Sequence, residues 1–153
     1  MKNYLRIICT ASGVLLAVAA AVGSTLEVHD SWIREAPPTA SVLAAYMVIS
    51  NSGEYPVEIT AVASPDFDHT ELHRTVLESG VASMVPIEKL EIPAGGKISL
   101  EPGGVHLMLI SPLHPLREGD SATLILQSAD GSSDRITTPV KRETGEAADR
   151  PHH

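Results

Sequence analysis

Short runs rich in valine, isoleucine and leucine recur along the chain, separated by clusters of glycine, proline and polar residues. Apolar residues at every second position of such short runs are typical of β-strands. No stretch beyond residue 24 shows sustained helical periodicity. We therefore predict nine strands, at residues 25–34, 42–51, 57–64, 70–77, 81–90, 97–101, 105–111, 122–129 and 134–140.

Regular spacing of short strands with turn residues between them predicts a single all-β domain, an antiparallel β-sandwich or Greek-key barrel, over residues 25–140. The run at residues 42–51 is almost continuously apolar, which predicts a strand buried on both faces. Residues 141–153 are charged and contain no apolar cluster, so we expect a mobile tail there.

The first residues differ in character from the strands that follow. Lys2 and Arg6 precede an apolar run over residues 7–22 that ends in small residues. This order is typical of a secretory signal peptide, which we place at residues 1–24. The run is short for a membrane span and no charged stop-transfer segment follows it, so we expect export without a membrane anchor.

Composition narrows the chemistry of the exported part. The only cysteine, Cys9, lies inside the predicted signal peptide and before the place where a lipid-attachment cysteine would stand. The exported chain therefore has no disulfide and no thiolate for catalysis or metal binding. Since Lys2 and Arg6 are the leader's only charged residues, 9 basic and 19 acidic residues remain, a net charge of −10 with neutral histidines. That charge is unsuited to nucleic acid or anionic lipid and tolerates a cation or a basic partner.

Histidine and methionine provide the remaining candidate chemistry. Three methionines follow the predicted signal peptide, and Met47 falls inside an apolar strand where core packing is expected. In the other strands, alternation places four soft or borderline donors off the predicted core faces. These donors are His73, Met84, His106 and Met108.

The predicted strand pairing permits these donors to meet. A hairpin loop at residues 77–81 would set His73 opposite Met84 or its neighbour, while His106 and Met108 lie two residues apart on one strand face. Thioether sulfur is a soft neutral donor that selects Cu(I) over magnesium, calcium or manganese. Zinc usually takes thiolate, imidazole or carboxylate instead. The pattern therefore indicates a Cu(I) site, provided that the third strand approaches the hairpin.

The spacing of the four donors, with ten, twenty-one and one residues between them, resembles that of the periplasmic PCuAC-type copper chaperones. The likeness to this family covers about residues 28–140. Further sequence segments that are similar to the family are DSWIREAPP, AAYMVISNSG, ELH, IPAGGKISLEPGGVHLML and PLREGD. Some members have a methionine directly after the first histidine, whereas this chain has Arg74 there, which places a positive charge near the ion unless the side chain points away.

The resemblance implies a monomeric, periplasmic, cupredoxin-like Greek-key sandwich that binds one Cu(I) through His73, Met84, His106 and Met108. It also implies delivery of copper toward respiratory haem–copper oxidases, directly or beside Sco-type thiol proteins. Some relatives hold a second copper, often Cu(II), in a histidine- and methionine-rich tail. His152 and His153 are a thin version of such a tail, and His69 is a candidate to support His73.

Other functional classes receive less support from the residues. No nucleophile signature or phosphate-binding glycine loop is present in the sequence, so we do not expect an enzyme. A blue-copper electron carrier needs a cysteine thiolate, which the exported chain lacks. A metal-free adhesion or structural sandwich, and a protein that buffers or scavenges copper instead of delivering it, stay open as alternatives.

Overall fold

A computed structural model of the chain describes residues 24–143, so all but the last residue of the predicted signal peptide and most of the predicted tail, including His152 and His153, lie outside the described residues. Within that range the chain forms ten β-strands, and no helix there is long and apolar enough to cross a membrane. The strands are β1 (Leu26–Arg34), β2 (Val42–Asn51), β3 (Val57–Ala63), β4 (Phe67–Glu78), β5 (Val81–Pro86), β6 (Leu90–Ile92), β7 (Lys97–Leu100), β8 (Val105–Pro112), β9 (Ser121–Ser128) and β10 (Ser133–Lys141).

The strands follow one hydrogen-bonded path, in the order β5-β4-β8-β2-β1-β10-β9-β3-β6, with β7 paired to β2 off the path. Every pair is antiparallel except β1 with β10, a short parallel pair in which Ile33 lies opposite Val140. This junction joins the half that runs from β5 to β1 to the half that runs from β10 to β6. The predicted all-β, mainly antiparallel sandwich is thus confirmed, with one parallel contact that the alternation pattern could not indicate.

One apolar cluster lies between the two halves and draws on both of them. Ile33 and Ile49 contribute from the first half, and Ile59 and Leu124 from the second. Met47 is 2% exposed, which confirms its predicted place in the core. The centre of β2 is buried on both faces, as its continuous apolar run predicts, because Tyr46 on the other face is also buried.

The predicted strand at residues 81–90 is two strands. Pro86 ends β5 because proline has no backbone N–H to donate to a ladder, and the chain then crosses to the other half, where β6 pairs with β3. Alternation in this run also predicts that Val81 and Val85 face the core, which is wrong, because Val81 is 68% exposed and Val85 38%. β5 forms the outer edge of its half, and the burial of every β5 residue stays low.

Asp66, directly before β4, links the segment that follows β8 in the first half to β9 in the second half. Its Oδ2 accepts the Thr123 backbone N–H at 2.8 Å, its Oδ1 accepts a hydrogen bond from His114 Nε2 at 3.1 Å, and its carbonyl accepts the Leu113 N–H at 2.9 Å. The Thr123 hydrogen bond is the main cause that lowers the pKa of Asp66, and the same carboxylate raises the pKa of His114.

We predict that Asp66→Ala lowers the free energy of unfolding at pH 7 by about 1–3 kcal/mol, since a hydrogen-bonded carboxylate is lost. Because the native pKa of Asp66 lies below its ordinary value of 3.8, its ionised form stabilises the fold fully above that value and loses the effect as pH falls through the native pKa. Urea unfolding between pH 7 and pH 3 should show the difference shrinking. Asp68→Ala, at an exposed neighbour, is the control. A difference that stays constant with pH contradicts the assignment.

Candidate metal-binding site

Strands β5, β4 and β8 lie side by side and carry the four candidate donors. His73 on β4 lies directly opposite His106 on β8, and Met108 lies opposite Glu71. On the other side of β4, Met84 lies opposite Thr75. Directly paired residues project to the same side of a sheet, and so do residues two apart on one strand. All four donors therefore share one face of three neighbouring strands.

The register of the β4–β5 hairpin differs from the predicted one. His73 lies opposite Pro86, not Met84 or its neighbour Val85. The reason is the turn, which has only two residues, Ser79 and Gly80, both with left-handed φ values of 51° and 81°. Such a two-residue turn fixes the register of the strands that it joins. Met84 is thus diagonal to His73, and the offset of two residues keeps it on the same face.

His106 is the most enclosed of the four side chains, with 5% exposure. Alternation places it off the core face of β8, as the structure does, but could not indicate that it is almost sealed from solvent. Its Nδ1 lies 3.1 Å from the carbonyl oxygen of Gly104. Because a carbonyl only accepts hydrogen bonds, Nδ1 carries the proton and Nε2 presents its lone pair.

The His73 side chain is 12% exposed and has the opposite arrangement. Its Nε2 donates to Oε2 of Glu71 at 2.7 Å, while its Nδ1 is buried without a hydrogen-bond partner among the described residues. The hydrogen bond from His73 is the main cause that lowers the pKa of Glu71, so the carboxylate is ionised and accepts. The buried lone pair of Nδ1 is thus free to bind a Lewis acid.

The two rings are spaced for a shared ion. Their centroids are 6.2 Å apart and their planes differ by 40°. An imidazole nitrogen binds a transition-metal ion at roughly 2 Å, so two rings on one ion have centroids about 5–6.5 Å apart. Within residues 24–143 no group of three or more histidine, cysteine or acidic side chains could hold a metal ion. On this face the two imidazoles lie together with the thioethers of Met84 and Met108.

A shallow pocket of about 230 Å³ opens beside these donors and is lined by Met84, His106 and Met108. Arg34 and Val42 also line it. The Arg34 guanidinium lies 5.2 Å from the Tyr46 ring centroid and 2.9 Å from the Glu143 carboxylate, which offsets its charge. Sequence reasoning missed Arg34, because nothing in the sequence near β1 indicates that its end meets β8 across β2.

Arg74 lies away from the donor face. It pairs with Val85 and Val105, one position along from His73, so its side chain projects to the other side of the sheet and is exposed. Its positive charge is therefore directed away from the four donors. His69 lies on the donor face but contacts Glu71 Oε1, at 3.0 Å, and not His73.

Comparison with known proteins agrees with this architecture. A family model described as "Putative lipoprotein LpqE-like" matches residues 26–140. "Putative lipoprotein Lxx21020" of Leifsonia xyli subsp. xyli is 30% identical over 121 residues, which cover 78% of this chain and 72% of that protein.

Solved structures give a second comparison. The Cu(I)-bound solution structure of DR1885 from Deinococcus radiodurans is 29% identical, with a TM-score of 0.62, and covers 82% of this chain and 83% of that chain. The copper-bound PCuAC domain from PmoF2 has a TM-score of 0.65 over 78% of this chain and 94% of its own, and at 19% identity it shows the shared fold. The predicted resemblance to PCuAC-type domains and the predicted cupredoxin-like fold are therefore confirmed.

The contrast between two methionines tests the placement of the donor face. Met84 is 59% exposed, so we predict that Met84→Ala changes the free energy of unfolding by less than about 0.5 kcal/mol. Met47→Ala, the matched substitution in the core, should cost about 2–5 kcal/mol. Denaturant unfolding of both variants measures the two values. Equal losses would mean that Met84 packs into the interior.

Proposed function

Since the chain belongs to the LpqE-like family and has the fold of PCuAC-type domains, we propose that it is an exported chaperone that binds one Cu(I) ion through His73, Met84, His106 and Met108 and passes it to an acceptor.

The observation that carries the proposal is the pair of opposed histidines whose free nitrogens are set by different hydrogen bonds. Carboxylate and carbonyl acceptors hold His73 and His106 in complementary tautomers. A buried imidazole nitrogen without a partner is unfavourable unless something binds it. One ion between the two rings would satisfy both lone pairs.

The thioethers identify which ion fits. Met84 and Met108 lie on the same face as the two imidazoles, and neutral sulfur donors favour a soft monovalent ion over hard divalent ones. Four neutral ligands leave the charge of Cu(I) uncompensated within the ligand set. The ionised Glu71 beside His73 is positioned to reduce that charge through the ring. DR1885, at 29% identity, has been solved with Cu(I) bound.

Unequal exposure of the ligands favours transfer over permanent storage. His106 is enclosed, His73 nearly so, and Met84 lies open on the edge strand β5. A thiolate of an acceptor could replace the Met84 thioether first, while the imidazoles still hold the ion. This order suits delivery toward haem–copper oxidase assembly, directly or through a Sco-type protein. Delivery of an intact ion requires no catalysis.

Export is proposed on the same relatives and on the apolar leader. The relatives are described as lipoproteins, whereas the one cysteine of this sequence, Cys9, stands early in its apolar run. We infer export to the periplasm with cleavage near residue 24 and without lipid attachment. The mass of the mature protein isolated from cells distinguishes a plain amino terminus from a lipidated one.

Cu(I) titration under anaerobic conditions, with competition by a chromophoric chelator, tests the site. We predict one tightly bound ion and an X-ray absorption spectrum with two sulfur and two nitrogen neighbours. His106→Ala and Met108→Ala should each weaken binding at least tenfold, since each removes one ligand, with the strand structure retained. His29→Ala, at an exposed histidine that bonds Ser50, is the matched control. Unchanged affinity in either ligand variant would exclude that residue, and a second bound ion would point to the tail histidines.

Delivery and buffering predict different phenotypes for a strain that lacks the gene. If the protein delivers copper, haem–copper oxidase activity should fall at limiting copper and recover when copper is added. Complementation with the Met108→Ala gene should fail to restore it. Normal oxidase activity together with lost tolerance of excess copper would instead support the buffering alternative.

A further inference from the structure

We propose that Glu71 is a positioning residue for the metal site, which fixes His73 in the tautomer that binds through Nδ1, and that His69 holds Glu71 in place. The role in metal binding rests on the proposed function, whereas the effect of Glu71 on the His73 tautomer does not. Neither Glu71 nor His69 belongs to the four-residue ligand set.

The three side chains form a chain along one strand. His69, Glu71 and His73 occupy every second position of β4 and so project to the same face. Oε1 of Glu71 accepts from His69 Nε2 at 3.0 Å, and Oε2 accepts from His73 Nε2 at 2.7 Å. Each carboxylate oxygen is therefore engaged by a different imidazole, and the short contact is the one made to the proposed ligand.

The hydrogen bond has a direct consequence for the ring. A free neutral imidazole exchanges its proton between the two nitrogens, and only the unprotonated nitrogen can bind a metal. Because the Glu71 carboxylate accepts, the proton of His73 stays on Nε2 and the buried Nδ1 keeps its lone pair. Carboxylates that orient metal-binding histidines in this manner also raise the basicity of the ligand nitrogen.

His106 is positioned by a backbone group and not by a side chain. Its Nδ1 proton is held by the carbonyl of Gly104, two residues away on the same chain segment. The two histidines are thus held by different acceptors, one a side chain that substitution can remove and one a backbone group that it cannot. His106 therefore provides an internal reference for any change made at Glu71.

The first measurement uses the full metal-free protein. Nitrogen-15 NMR of the imidazoles should show His73 protonated on Nε2 and His106 protonated on Nδ1. The Glu71→Val substitution introduces a side chain that is suited to a strand but cannot accept a hydrogen bond. It should shift His73 toward a mixture of tautomers and leave the tautomer of His106 unchanged. Glu71→Gln, whose amide oxygen can still accept, should retain the wild-type tautomer. If His73 keeps a single Nε2-protonated form in Glu71→Val, the proposal is overturned.

The second measurement is Cu(I) affinity by anaerobic competition. We expect Glu71→Val to bind about 10–100-fold more weakly than wild type, as removal of comparable supporting residues does. Glu71→Gln should recover most of that loss, and His69→Ala should lose less than Glu71→Val. Glu78→Val, at an exposed acid on the same strand, is the matched control and should bind like wild type. Full affinity in Glu71→Val, or an oxygen neighbour of copper that disappears in Glu71→Gln, would overturn the positioning role.

The two readouts separate this inference from the proposed function. A wild-type protein that fails to bind Cu(I) would refute the chaperone proposal, while the tautomer of His73 and its response to Glu71→Val would still decide the role of Glu71. Conversely, tight Cu(I) binding with a His73 tautomer independent of Glu71 would refute only the inference drawn here.

Discussion

The backbone ladder that holds β4 between β5 and β8 is the constraint on which the rest of the site depends. It sets His73 against His106 on one side and fixes Met84 two residues from the facing position on the other. A slip of one residue would turn an entire strand's side chains to the opposite face. The two-residue turn at Ser79 and Gly80 and the core contacts of Leu72 and Leu107 prevent that slip.

The fold and the site make opposite demands on the same strands. Leu72 and Leu107 bury one face in the core, while His73 and His106, their chain neighbours, are enclosed on the other. Enclosed polar groups are tolerated when they are hydrogen-bonded, and here one nitrogen of each ring is bonded, Nε2 of His73 to Glu71 and Nδ1 of His106 to Gly104. The Nδ1 of His73 is buried without a hydrogen-bond partner among the described residues, and its unfavourable burial is explained if an ion binds it.

Alternation along the chain was sufficient to predict the class of fold, the burial of Met47 and of β2, and the position of the four donors off the predicted core faces. Other features could not be predicted in this way, each for a physical reason. Pro86 moves the chain to the other half, which depends on packing and not on local pattern. The loop sequence at residues 77–81 is compatible with turns of several lengths, and each length gives a different register of β4 and β5. Arg34 reaches the pocket from β1 across β2, a contact between residues far apart in sequence. Glu71 was visible only as part of a family phrase, because its role depends on side-chain geometry.

The open position of Met84 on the outermost strand also has a consequence for how the protein responds to oxidants. Peroxide would reach its sulfur well before that of Met47, which is sealed in the interior. Conversion to the sulfoxide replaces a soft donor with a hard, polar oxygen and would release a cuprous ion without unfolding the domain. Since sulfoxide reductases reverse this change, the exposure that would open a bound ion to an acceptor would also make its retention sensitive to the redox state of the compartment.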